Sequence, residues 1–448
     1  LVALNHTTKG GLITFSLNVA PRVAYRKNAS WDVFRNAVEA NPTTPIMDPK
    51  DPSLYYNFKG QAAGYNPLEL LKKDKSTGTT KLLDWDGTVK LNLLPLLLNK
   101  EDRQTLTTQL TFADHQYDNY NQWFRPSTST LAINAGREGE ASQDYSKSAI
   151  RTLEWVTNYA NSFGNHNFKV MAGYSYQYEQ YSGLNAANKD FPNDALEDNN
   201  LGSGTYAKDE GELGMGSYKN DSKLISFFGR VSYDWKGRYM LTASLRHEGS
   251  SKFGEHHKWG NFPAISAGWR ISDEAFMAGT KSWLTDLKLR GDFGITGNQS
   301  FDSYRSLNTM SGFGYYLYNG KYYQVWGPGK NVNPDLRWEK GQNWNVGLDW
   351  TLFGGDLYGS FNYYSRKQQD LLGDYNVSVP PYLFTSTFVN VGTMRNSGFE
   401  FDLTWNAVKT KDFTYTINVI GATMSNKFVD FSNDKFVGQD YYDVVSTE

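Results

Sequence analysis

Reading every second residue from Phe227 to Gly249 separates that stretch into two sets. Phe227, Gly229, Val231, Tyr233 and Trp235 alternate with Phe228, Arg230, Ser232 and Asp234. After Lys236-Gly237 the alternation resumes, with Tyr239, Leu241, Ala243 and Leu245 against Met240, Thr242, Ser244 and Arg246. A period of two with one apolar and one polar face predicts a strand, and the short break predicts a tight hairpin. The pattern recurs and predicts about thirteen strands. They fall over 11–19, 82–93, 104–113, 148–159, 166–178, 224–235, 238–248, 259–271, 286–296, 342–351, 356–366, 397–406 and 412–422.

The connections carry a second pattern. After a long gap at 20–81, short connections (94–103, 160–165, 236–237, 352–355, 407–411) alternate with long ones (114–147, 179–223, 297–341, 367–396). The medium gaps at 249–258 and 272–285 fit least well. A soluble sandwich has no reason to sort its loops by parity. A transmembrane barrel does, because odd and even connections lie on opposite sides of the membrane. Ten tilted strand residues rise about 25 Å, the height of an outer-membrane apolar band. The apolar set is therefore expected to face lipid and the polar set a wet lumen. Trp235, Tyr239, Trp269, Trp344, Trp350 and Trp405, near strand ends, are placed in the interfacial girdles. The rival is a large soluble β protein whose apolar faces pack on a second sheet. A short helix is expected over 30–40, with Ser30 as its cap and Val33, Phe34, Ala37 and Val38 on one face packed within a loop.

Composition changes this picture little. Among 448 residues, 39% are hydrophobic, 21% charged and 15% aromatic, which is not a disordered chain. Mean hydropathy is −0.60, as for a soluble protein, but a barrel that alternates lipid-facing and lumen-facing residues averages to the same value. A net charge of −2 supplies no global field for nucleic acid. With no cysteine, disulfides, thiolate catalysis and Cys-based zinc sites are excluded. The first residues, LVALNHTTKGG, do not read as a signal peptide, and LNLLPLLL at 91–98 is too short for a transmembrane helix.

Several segments resemble the barrel of SusC/RagA-type TonB-dependent outer-membrane transporters. They are GRVSYDWKGRYMLTASLRHEGSSKFGEHHKWGNFPAISAGWRISDEAFM (229–277), LKLRGDFGITGNQS (287–300), NPDLRWEKGQNWNVGLDWTLFGGDLYGSFNYYSRKQQDLL (333–372) and NVGTMRNSGFEFDLTWN (390–406). YRKNASWDVFRNAVEANPTTPIMDP (25–49) and SGLNAANKDFPNDAL (182–196) fit the same family, so the resemblance covers nearly the whole chain. It implies an all-β, antiparallel up-and-down transmembrane barrel with long extracellular loops. It also implies a plug domain, a SusD-like surface lipoprotein over the mouth, energy from TonB, and oligosaccharide or oligopeptide substrates. Against the family's 22 strands, about thirteen are visible. No segment reads as plug, TonB-contacting segment or N-terminal extension, and YYDVVSTE (441–448) does not read as a closing barrel strand. Residues 1–448 are thus expected to be an internal part of one barrel domain.

No catalytic constellation is evident, so an enzyme is not expected. Glu255-His256-His257 reads as a solvated polar loop, and the glycine-rich 202–216 lacks the ending of a phosphate-binding loop. Asp194 and Asp198 are weak calcium candidates without EF-hand spacing. The 297–341 connection holds ten aromatics, among them Tyr315, Tyr316, Tyr322, Tyr323 and Trp326. Such rings stack on sugars, form an apolar partner interface, or simply pack the loop. Tyr382 and Phe384, beside Pro380-Pro381, carry the same three readings. Arg230, Arg246, Arg270, Arg290, Asp234, Asp292, Glu400 and Asp402 fall on the polar face and are expected in cross-strand pairs. The function the resemblance implies is active import of a nutrient oligomer. The alternatives are a passive porin, a surface adhesin, or a soluble glycan-binding or glycan-cleaving β protein.

Overall fold

The computed structural model describes residues 1–29, 31–97, 104–209 and 214–430. In chain order the strands of its first half are β1 (Val2–Thr7), β2 (Ile13–Lys27), β3 (Lys75–Asn92), β4 (Gln104–Arg125), β5 (Glu140–Phe163), β6 (His166–Lys189), β7 (Met215–Trp235), β8 (Tyr239–Ser250) and β9 (Trp259–Arg270). There follow β10 (Leu284–Asn298), β11 (Met310–Tyr318), β12 (Lys321–Pro328), β13 (Glu339–Leu352), β14 (Leu357–Gln369), β15 (Leu372–Asn376), β16 (Ser386–Asn390), β17 (Thr393–Lys409), β18 (Thr414–Ala422) and β19 (Ser425–Asp430). All but four of these join one antiparallel sheet in sequence order; β11–β12 and β15–β16 are separate hairpins. The sheet is not closed on itself among the described residues, β1 and β18–β19 being its edges.

All thirteen expected strands are present, and β1 and β19 add to them. The larger correction concerns length. The expected loop at 114–147 is mostly strand and that at 179–223 is strand at both ends, because β4 runs to Arg125, β5 starts at Glu140, β6 runs to Lys189 and β7 starts at Met215. With 24 residues each, β5 and β6 rise about 60 Å along the barrel axis, against an apolar band of about 25 Å. More than half of each strand therefore stands outside the membrane.

The apolar face packs on no second sheet. Leu106, Tyr159, Val170, Val231, Ala243, Ile265, Phe293 and Trp344 form one continuous cross-strand row over eight strands. Side chains on this face are half open, with Phe227 at 51% and Phe399 at 63% exposure. A hydrophobic face left bare over this many strands is stable only against lipid. At the periplasmic rim Trp235, Tyr239 and Trp269 stack in series, with centroids 5.5 and 6.5 Å apart. On the other face, Arg290 bonds Asp349 at 3.0 Å and Asn362 at 2.5 Å, Arg246 bonds Ser226 at 2.7 Å, and Arg270 lies 3.3 Å from Asp286. Asp234 accepts from Asn167 at 2.8 Å, and Asp402 accepts from Ser360. These are cross-strand pairings, as the polar alternation predicts.

The expected helix forms as α1 (Trp31–Glu39), but Phe34 and Val38 on its apolar face are exposed, and Asn36 is the residue it buries. Asn36 turns back to bond the Asp32 carbonyl at 2.7 Å, so spacing predicted the helix but not the side it packs on. The proposed cap, Ser30, lies outside the described residues, as does 441–448.

Candidate extracellular binding surface

Above the membrane the strand extensions and loops build two walls. The first joins the connections 28–74, 126–139 and 190–214 through polar contacts. A second helix, α2 (Pro67–Lys73), starts at Asn66, whose side chain accepts from the Leu68 and Glu69 amides, with Pro67 at the first helical position. The cap aims the buried Glu69 carboxylate at Thr130, whose amide donates to it at 2.9 Å, while Lys73 approaches it to 3.1 Å. Arg125 forks onto both Asp74 oxygens at 3.1 and 2.7 Å and reaches Glu140 at 3.3 Å. Burial pushes the Asp74 carboxyl up, and the Arg125 bonds and charge act against that.

Both calcium candidates belong to this wall. Asp194 accepts from the Ser127 amide at 3.0 Å and its hydroxyl at 2.9 Å, closing the loop after β4. Asp198 is buried and accepts from Gln122 at 2.6 Å and Gln143 at 3.3 Å on the extended strands. Each carboxylate is thus engaged by the loop it folds. Among the described residues no three His, Asp or Glu side chains are grouped to hold an ion.

The second wall is apolar at its base. Phe253, Phe262, Leu336 and Trp338 form a buried cluster, and Phe301, Phe388, Leu224 and Leu372 pack against it. Trp338 lies 4.6 Å from Phe253 and 5.2 Å from Phe262, and its indole N–H donates to the Lys258 carbonyl at 2.9 Å. This cluster clasps the turn 251–258 to both long connections, 299–338 and 370–392. Asn331 ties the two connections together, donating to the Phe384 and Ser386 carbonyls at 2.7 and 2.8 Å and accepting from the Leu383 and Phe384 amides. Near this base, burial and the neighbouring Arg305 push the Lys330 ammonium down.

The ten aromatics of this connection therefore divide. Phe301 and Trp338 pack at the base, and Tyr304 bonds Asp221 of β7. The five candidate rings stand on the β11–β12 hairpin, where every residue of β11 is exposed. Tyr315 is 71% and Tyr322 73% exposed, and Tyr316, Tyr323 and Trp326 exceed half. Register puts Tyr316 opposite Tyr323 and Tyr315 opposite Gln324, so both faces of the ribbon carry open rings. The packing reading does not hold for these five. Tyr382 stands open on the neighbouring connection, and half-buried Phe384 is held at the hairpin's foot by Asn331.

The turn of this hairpin was missed at the sequence level although its signal is present. Tyr318-Asn319-Gly320-Lys321 carries Asn-Gly, and both central residues have positive φ, 48° and 73°. That is the turn an Asn-Gly pair favours between antiparallel strands.

Residues 25–445 match the family model described as TonB dependent receptor-like, beta-barrel. TonB-dependent receptor P3 of Formosa agariphila is 32% identical over 311 residues, covering 68% of this chain and 30% of the relative. TonB-dependent receptor SusC of Bacteroides thetaiotaomicron is 27% identical over 477 residues, covering 93% of this chain and 44% of the relative. The chain thus spans less than half the length of these relatives. The structure of the RagAB peptide importer in the closed-closed state superposes with a TM-score of 0.76 at 18% identity, over 96% of this chain and 47% of that one, and shows the shared fold.

Proposed function

The chain belongs to the TonB-dependent receptor-like β-barrel family, and on that footing we propose that it serves active import of a nutrient oligomer. Members of this family sit in the outer membrane of Gram-negative bacteria, in keeping with the bare apolar band described above. In this reading an oligosaccharide or oligopeptide is captured at the extracellular rim with a SusD-like surface lipoprotein, and TonB supplies the energy. The energy source is suggested by the relatives named TonB-dependent receptors and a peptide cargo by the neighbour described as a peptide importer, while the lipoprotein partner is what the SusC/RagA-type resemblance implies.

The observation that carries the proposal is the open aromatic hairpin on a clasped base. Tyr315, Tyr316, Tyr322, Tyr323 and Trp326 offer stacking area with few internal partners, and Tyr382 and Phe384 extend it. Aromatic rings are the side chains that carry most energy at interfaces, because they bury much area at little conformational cost. They are assigned here to the lipoprotein lid or to the substrate.

The test is affinity purification of the full-length protein from detergent-solubilised outer membrane, with uptake measured before and after the inner membrane is de-energised. Recovery of a surface lipoprotein together with energy-dependent uptake supports the importer. Recovery of the protein alone, with uptake unaffected by de-energising, overturns it in favour of a passive pore.

A further inference from the structure

Two charged rows at the external end of the lipid-facing side of the sheet differ in what neutralises them. On β3 to β5 the charges alternate in register. Lys81 stands opposite Asp118 and Asp118 opposite Lys147, with 3.8 Å between the last two. Two rows nearer the membrane, Asp114 and Arg151 face each other at 3.9 Å. On β14, β17 and β19 the corresponding row is Lys367, Arg395 and Lys427, each directly opposite the next. None of these three makes an ion pair with a carboxylate among the described residues. The nearby Asp370 is held by Arg337 at 2.7 Å, and Asp430 stands a row further out, opposite Thr393. Like charges directly opposite one another on a sheet repel, so this row calls for a counter-charge from outside the sheet.

Register fixes where that counter-charge would lie. Lys367, Arg395 and Lys427 share parity with Leu357, Trp405 and Ile417, which form one cross-strand row ten residues nearer the periplasmic turns. Ten tilted residues rise about 25 Å, so the cations stand where the apolar band ends and lipid headgroups begin. Tyr363 and Phe399, rings 4.9 Å apart, sit two rows below on the same face, at acyl-chain depth. We propose that Lys367, Arg395 and Lys427 form a site for the phosphate of an outer-leaflet lipid headgroup. A phosphate over the row is met by one guanidinium fork flanked by two ammonium groups, while its chains continue onto the lipid-facing surface already described.

The test uses the full-length protein in detergent and native mass spectrometry. The probes are a phosphorylated diglucosamine lipid and its dephosphorylated counterpart. Wild type is expected to prefer the phosphorylated lipid on the order of 100-fold, about fivefold for each of three cations. Lys367→Gln/Arg395→Gln/Lys427→Gln removes that preference, and Lys81→Gln/Lys147→Gln, in the compensated belt, retains it. Because the triple variant relieves repulsion, its melting temperature in lipid-free detergent should not fall, and the wild-type comparison of the two lipids needs no variant. Equal binding of both lipids by wild type, or an undiminished preference in the triple variant, overturns the site. Displacement of the lipid by inorganic phosphate at equal concentration also overturns it, since that identifies a free-anion site.

Discussion

Trp338→Ala should loosen one connection of the rim while leaving the barrel intact. Trp338 is 3% exposed and joins Phe253, Phe262 and Leu336 in the cluster that clasps 299–338 and 370–392 to the turn 251–258. Truncating a buried tryptophan typically costs about 3–5 kcal/mol. The lost indole hydrogen bond adds little, because the Lys258 carbonyl also accepts from the Ser250 amide at 3.0 Å. That energy belongs to local opening, because the sheet strands keep their own ladders. Hydrogen exchange followed by mass spectrometry should show protection across 299–338 falling by about two to three and a half orders of magnitude. Peptides from β5 and β6 should exchange as before. The clasp argument is refuted if 299–338 exchanges at the wild-type rate, or if the loss spreads equally to β5 and β6.

Gly254→Ala should produce a milder form of the same defect. Its new Cβ would collide with the Pro334 carbonyl oxygen, and the Gly254 amide bonds the Leu336 carbonyl at 2.9 Å, so the cost is that of overpacking, about 1–3 kcal/mol, read by the same exchange experiment. At the periplasmic rim, the bond from the Tyr239 hydroxyl, aided by Trp269 at 3.0 Å and Arg238 at 3.1 Å, holds the Glu274 carboxyl below the usual range. A lowered folded pKa gives stability that is present above the unfolded value and is lost as pH falls through the folded one. Indole fluorescence at this rim should therefore change on acidification below about pH 4.5, and Glu274→Gln should flatten that response. Tyr315→Ala/Tyr322→Ala, at open positions, should leave the melting temperature within about 1 °C and weaken lid or substrate binding measured by calorimetry. A large stability loss would mean that these rings pack rather than bind.

How far the sequence was legible follows the solvent. Inside the bilayer one face of each strand must be apolar, so contrast along the strand is high. Leu287, Leu289, Phe293 and Ile295 against Lys288, Arg290 and Asp292 could be read directly. Above the bilayer both faces meet water. Tyr178, Gln180, Ser182 and Leu184 alternate with Glu179, Tyr181, Gly183 and Asn185, and no period survives although the ladder to β7 is unbroken. The strand ends were therefore read as loop, and β15–β16 was missed because its five-residue strands are too short to develop an alternation. The two rim walls were not visible at all, because Arg125, Asp74 and Glu140 meet only after three connections fold together. The candidate rings were found by density alone, which could not separate Trp338 at the base from Tyr322 at the tip.

That separation bears on how the rim would work. A two-stranded ribbon is marginal in water, and binding by a floppy one would lose affinity to the cost of ordering it. Here Leu336, fully buried at 0% exposure, and Trp338 lie ten and twelve residues beyond Trp326, so the foot of the ribbon is fixed while its tip is uncovered. Asn331 fixes the second connection to the same foot through four backbone groups. A partner that settles on Tyr315 or Tyr322 therefore meets a surface whose base is already ordered. Displacing that partner need not open the clasp, so capture and release at the tip can proceed without unfolding the wall beneath it.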